Sequence, residues 1–164
     1  METKNRPRIE LESSVADKIV EVVSATVLLT ISVLFLFQYP SVDERVPMHY
    51  DFSGNVDRMG DKAELFFLFG ILILLYAGMT IAQRFPHSFN YLTEITRENA
   101  LRQYTTAVRM IRWLKMMLVC LFSFIIAKTI FPVYISDEVF FAVIITFIVI
   151  TFIQMIGYFI KSGK

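Results

Sequence analysis

Apolar and polar positions along this chain fall into long blocks rather than short periods. Four blocks, Ile19–Tyr39, Leu65–Gln83, Ile111–Phe131 and Val139–Ile160, are dominated by Phe, Ile, Leu and Val, and none has a proline in its interior. Crossing roughly 30 Å of hydrocarbon takes about 20 residues of helix, so each block is long enough to span a bilayer. The pattern predicts an all-α polytopic membrane protein. It is read as a single four-helix membrane domain, 1–164, with helices over 19–39, 65–83, 111–131 and 139–160. A first loop covers 40–64 and a second covers 84–110.

Composition and charge sharpen this picture. Hydrophobic residues make up 55% of the chain and the formal net charge is +1. The basic residues are sorted by membrane side instead of gathered in one patch, which argues against a nucleic-acid partner. Lys4, Arg6, Arg8 and Lys18 precede the first helix. Arg84, Arg97, Arg102, Arg109, Arg112 and Lys115 are assigned to the second loop, and Lys161 and Lys164 to the tail. The other side has only Arg45, Arg58, Lys62 and Lys128, and it is rich in Asp and Glu. The positive-inside rule therefore puts both termini and the second loop in the cytoplasm and the first loop outside. No cleaved signal peptide is expected, because a long polar segment precedes the first apolar run and no small-residue cleavage pattern follows it. The single cysteine, Cys120, falls inside the third run and cannot make an intrachain disulfide.

The helix ends are readable. Ser14 with Asp17 three residues on forms a capping-box variant that starts the first helix below its apolar block, with Glu21 near the interface. Pro40 ends it. In the second loop Thr96 reads as an N-cap with Glu98 in the first turn, and no breaker follows until Pro132. At 1.5 Å per residue that is a helix of roughly 50 Å, so its first turns should protrude. There Ala100, Leu101, Tyr104, Val108 and Ile111 recur at helical spacing, with Arg102, Arg109 and Arg112 on another side. Such a segment suits anionic headgroups or a cytoplasmic partner. The docking candidates are Asn90, Asn99, Gln103, Tyr104, Arg102 and Arg109. Gly70, Gly78 and Ala82 in the second helix, and Ala142, Thr146 and Ile150 in the fourth, allow close helix packing or a homodimer face.

The first loop carries the candidate chemistry. A connector needs only a few residues, and this one is far longer. Pro47, His49, Tyr50, Gly54, Asp57 and Lys62 are its candidate binding residues. His49, Asp51 and Asp57 supply an imidazole and two carboxylates, enough to consider a divalent cation, although the spacing matches no zinc signature. The same cluster also reads as a tie, with Gly54 turning the chain so that Asp57 meets His49. It supports an enzyme reading as well, in which His49 works with Asp51 or Asp57 at the outer interface. No nucleophile–histidine arrangement with an oxyanion device accompanies it, so no residue is assigned a catalytic role. In the membrane interior Lys128 is read as the only ionisable group. It either snorkels to the interface or pairs with Asp57 or Asp137. With no carboxylate or histidine deep in the bundle, a proton- or ion-coupled transporter is disfavoured.

Pro47-x-His49-Tyr50 with Gly54, Asp57, Gly60 and Lys62, placed after a first membrane helix, resembles the outer-loop signature of the bacterial membrane domain of unknown function 1648. This is the N-terminal domain of SdpI-type toxin-immunity proteins. The stretch Phe89-Asn90-Tyr91, Ile95-Thr96, Asn99-Ala100 and Gln103-Tyr104 is similar to that family's second loop. The two likenesses cover Val15 to Pro132. Proteins of that type resemble this chain in their first half and continue with further membrane helices. The resemblance implies a bacterial inner-membrane protein with an immunity-like or sensory role and a secreted peptide or a cytoplasmic protein as partner. The expected function is recognition of a peptide, lipid or ion through the first loop, with the membrane-embedded enzyme as the alternative.

Overall fold

The computed structural model describes residues 6–51 and 55–163. Four long helices dominate it: α1 (Val15–Gln38), α2 (Glu64–Ala82), α3 (Ala100–Ile130) and α4 (Asp137–Ser162). All four are long and apolar enough to cross a membrane. Many of their large apolar side chains lie on the surface, Phe37 being 82% exposed and Leu74 73%. A surface of that kind is compatible with hydrocarbon around it and not with water.

Two of the helices, α1 and α4, begin on a side-chain cap. The capping box at Ser14 forms as read: Ser14 N–H donates to Asp17 Oδ2 at 2.9 Å, and Asp17 N–H donates to Ser14 Oγ at 3.2 Å. Ser136 caps α4 by accepting from Val139 N–H, and Asp137 and Glu138 in the first turn suit the positive end of the helix dipole. The third helix differs from expectation. It starts at Ala100 with Asn99 as its N-cap residue, not at Thr96. Asn99 Oδ1 accepts from Thr96 N–H at 2.9 Å and its Nδ2 donates to Glu94 O at 2.8 Å, so the side chain closes a turn that holds Thr96 and Glu98 outside the helix.

α3 is the central element and packs on α1, α2 and α4. One apolar cluster lies towards the first loop. It joins Ile31 and Phe35 of α1, Val42 and Val46 of the loop, Leu65 and Leu72 of α2, and Val119, Ile126 and Ile130 of α3. Phe35 is its hinge, stacked on Phe69 with ring centroids 5.0 Å apart and edge-on to Phe66 at 5.2 Å. A second cluster lies at the opposite end, where Tyr91, Ala100, Tyr104 and Ala107 pack with Ile9, Leu11 and Tyr158. The segment before α1 is thus strapped across the start of α3. Arg6 donates to the carbonyls of His87 and Phe89, and Tyr104 Oη donates to Pro7 O at 3.1 Å. The glycines of α2 are not at a close approach in this packing: a Cβ at Gly70 or Gly78 would meet nothing within 4 Å.

The described part of the first loop contains an element that periodicity did not reveal. β1 (Arg45–Tyr50) and β2 (Val56–Asp61) form an antiparallel hairpin, with Val46 opposite Gly60 and register irregularities on either side of His49. β1 has no second neighbour, which is where a sheet tolerates Pro47. Gly60 makes room for two side chains: a Cβ there would meet the Glu64 carboxylate and come to 2.6 Å of Met48 Cγ, so both would have to shift.

Candidate functional site

The hairpin is fastened to the bundle at both ends. Lys62 N–H donates to Glu44 O at 3.0 Å, and its ammonium pairs with the Glu44 carboxylate at 2.8 Å and lies 5.4 Å from the centre of the Tyr39 ring. The hydrogen bond it donates to the Glu44 carboxylate holds the Lys62 ammonium above the ordinary lysine range. Arg58 pairs with Glu64 at 2.9 Å, tying β2 to the first turn of α2. At the far end Asp51 and Asn55 close on each other. Asp51 N–H donates to Asn55 O at 2.9 Å and Asn55 N–H to Asp51 Oδ1 at 2.8 Å. Gly54 lies outside the described residues.

One face of β1 leans over the ends of α3 and α4. The Tyr50 ring packs against Phe140 and Phe141, with centroids 5.3 and 6.0 Å apart. Burial there, with the Asp137 charge nearby, pushes the Tyr50 hydroxyl above the ordinary tyrosine range. Beneath the strand lies a cleft of about 300 Å³, lined on the apolar side by Val42, Val46, Ile130 and Pro132 and on the polar side by Asp43, Arg45, Lys128 and Asp137. Lys128 does not snorkel. It is buried, pairs with Asp137 at 2.8 Å and donates to Ile135 O, so the snorkelling reading is corrected and the alternative, pairing with Asp137, is the one that forms. A lysine with a carboxylate and a carbonyl in reach has no reason to seek the headgroups.

His49 and Asp57 do meet, with Nδ1 and Oδ1 2.6 Å apart. Their side chains are 65% and 43% exposed, and neither lines the cleft. A polar contact so open to water contributes little to stability. Asp51 turns to Asn55 instead of joining them, and among the described residues no group of three His, Cys, Asp or Glu side chains is placed to hold a metal ion.

A second polar centre lies towards the other end, and sequence reasoning missed it. Lys115, assigned above to the second loop, is fully buried between three helices. Its Nζ donates to Glu21 Oε2 at 2.6 Å and to Thr80 Oγ1 at 2.9 Å, and sits 4.9 Å from the centre of the Tyr76 ring. Arg112 Nε lies 3.7 Å from Glu21 Oε1 and donates to Gln83 Oε1 at 2.9 Å, while Arg112 Nη1 is 3.5 Å from Asp17. Arg109 Nε donates to Asp17 at 3.2 Å. The bundle therefore holds carboxylates at this end, in the first two turns of α1, and Lys115 joins Lys128 as a buried ionisable group within an apolar block. The depth signal was present: Glu21 and Lys115 each sit within a few residues of the start of an apolar block.

The docking candidates divide. Asn90 and Arg102 are exposed. Asn99 closes its turn, Gln103 Nε2 donates to Ser162 O at 3.0 Å inside the protein, and Tyr104 holds Pro7. Arg109 is engaged by Asp17 through one nitrogen. A cytoplasmic partner cannot read Gln103 or Tyr104 without displacing these contacts.

No curated protein and no solved structure matches the chain. Residues 25–74, which take in most of α1, the hairpin and the first half of α2, match the family model described as a domain of unknown function (DUF1648), and the match supports a DUF1648 domain over that stretch.

Proposed function

We propose that this chain is a bacterial inner-membrane binding protein of sensory or immunity-like type. It takes a peptide segment in the cleft between β1 and the ends of α3 and α4. The cleft carries the reading. Its volume is at the lower bound for ligand sites, enough for one or two side chains. The charged lining is mixed: Lys128 is paired with Asp137, and Asp43 stands beside Arg45, so Arg45 next to the apolar wall is the group that suits an apolar residue beside an acidic one. The enzyme alternative would use His49 with Asp57, and that exposed pair faces no cleft. In this reading the hairpin side is extracytoplasmic and both termini are cytoplasmic, as the sorting of Lys and Arg supports. The 1–164 stretch acts as a single membrane domain.

Orientation and binding have separate tests. In a Cys120→Ala background, cysteines at Asn55 and Ser136 are expected to react with an impermeant maleimide in intact cells. Cysteines at Ser88 and Asn90 should react only after the cells are opened; labelling at Ser88 from outside would reverse the orientation. For binding, a random peptide library is panned against the protein in nanodiscs. Enriched peptides should lose roughly tenfold in affinity for Arg45→Glu, since an ion pair becomes a repulsion. Peptides that bind wild type and Arg45→Glu alike, or no enrichment at all, would count against the cleft.

A further inference from the structure

We propose that the groove between α3 and α4, at the end away from the hairpin, is a site for one anionic phospholipid. The groove has two halves that share Trp113 and Gln154. The half nearer the helix ends is a cavity of about 330 Å³ lined by Thr106, Arg109, Tyr158 and Lys161. The half nearer the bilayer centre is an open apolar depression of about 420 Å³ lined by Met116, Met117 and Ile150 with the same tryptophan. Two cations and two hydroxyl groups thus line the mouth, no carboxylate does, and an apolar channel continues from it. That sequence of surfaces matches a phosphate headgroup followed by an acyl chain. From Thr106 to Met117 the axial distance is roughly 16 Å, a length an acyl chain can cover.

Two further observations favour occupancy from the membrane. Arg109 gives its Nε to Asp17, yet its side chain remains 49% exposed and lines the groove. The third is space: at Gly157, which lines the mouth, a Cβ would meet nothing within 4 Å. The glycine keeps the entrance open where α4 would otherwise present a side chain. The basic charge is at one helix end only, so the site is complementary to an anionic headgroup in one leaflet.

Trp113 is the single tryptophan of the chain and lines both halves, so it reports directly. The protein is placed in phosphatidylcholine bilayers with increasing fractions of brominated phosphatidylglycerol, and brominated phosphatidylcholine serves as the reference. The anionic lipid should quench Trp113 at a several-fold lower mole fraction than the zwitterionic one. Lys161→Gln should reduce that preference about fivefold, the effect of one basic residue at an anionic surface. Gly157→Leu leaves every charge in place, fills the mouth and should abolish the preference. Retained quenching by the zwitterionic lipid shows that each variant is still seated in the bilayer. Excess soluble glycerol phosphate should not relieve the quenching; relief would assign the site to a free phosphoanion and overturn the lipid reading. Equal quenching by the two lipids in wild type, or an unchanged preference in both variants, would also overturn it.

Discussion

Lys115→Met is expected to be the most damaging single substitution in the membrane bundle. Glu21 has Lys115 as its close partner, and its Oε1 is already buried without a hydrogen bond. Removing the ammonium leaves a carboxylate inside the bundle with Arg112 3.7 Å away as its remaining cation. Breaking a buried pair from one side costs about 3–5 kcal/mol, because the desolvation already spent on the surviving charge is no longer compensated. For a chain of this size each kcal/mol moves the melting temperature by about 2–4 °C, so thermal unfolding in detergent should show a shift of roughly 10 °C. The double variant Glu21→Gln/Lys115→Met removes both charges and should recover most of the loss. A double-mutant cycle measures this coupling. Independent, additive effects would show that the two groups do not act as a pair.

Phe35→Ala is the second large effect. Phe35 is fully buried where α1 and α2 meet, with Phe69 stacked on one side, Phe66 edge-on, and Tyr39 5.5 Å away between its ring and the hairpin. Phe→Ala in water-formed cores costs roughly 3–5 kcal/mol, part transfer and part cavity. Lipid is as apolar as the side chain, so the transfer part is small in a bilayer and the packing part remains. The expected loss is at the lower end of that range. It should be accompanied by faster proteolysis within 42–62, since the ring supports Tyr39 and, through it, Lys62. Protease resistance equal to wild type would show that the hairpin is held without this aromatic stack.

The four helices were legible because lipid imposes a strict rule: a spanning segment must be long and apolar, and it announces itself without periodicity. The His49–Asp57 pair was legible because one turn separates the two residues. The hairpin was not. Pro47 and Gly60 are both poor strand residues, and each is explained only by its surroundings, a free sheet edge for Pro47 and the approach of Glu64 and Met48 for Gly60. The Glu21–Lys115 pair escaped for a different reason. The two residues are 94 positions apart, and nothing in a linear reading shows that α1 and α3 bring them to the same depth. Lys115 was read as a loop residue by its charge, whereas its burial follows from the partners waiting for it. Gln103 and Tyr104 looked like docking residues for the converse reason: polar groups on a predicted surface helix suggest an outside partner until the segment around Pro7 and the end of α4 are seen to cover them.

The most direct measurement is methyl NMR of the nanodisc-embedded protein, titrated with a peptide selected for Arg45-dependent binding. The methyl groups of Val42, Val46 and Ile130 line the cleft, and that of Ala107 lies in the cluster at the opposite end. The expected result is a saturable shift at all three cleft positions with Ala107 unmoved. Binding that shifts Ala107, or that leaves Val42, Val46 and Ile130 unmoved, would contradict the assignment of the cleft as the ligand site.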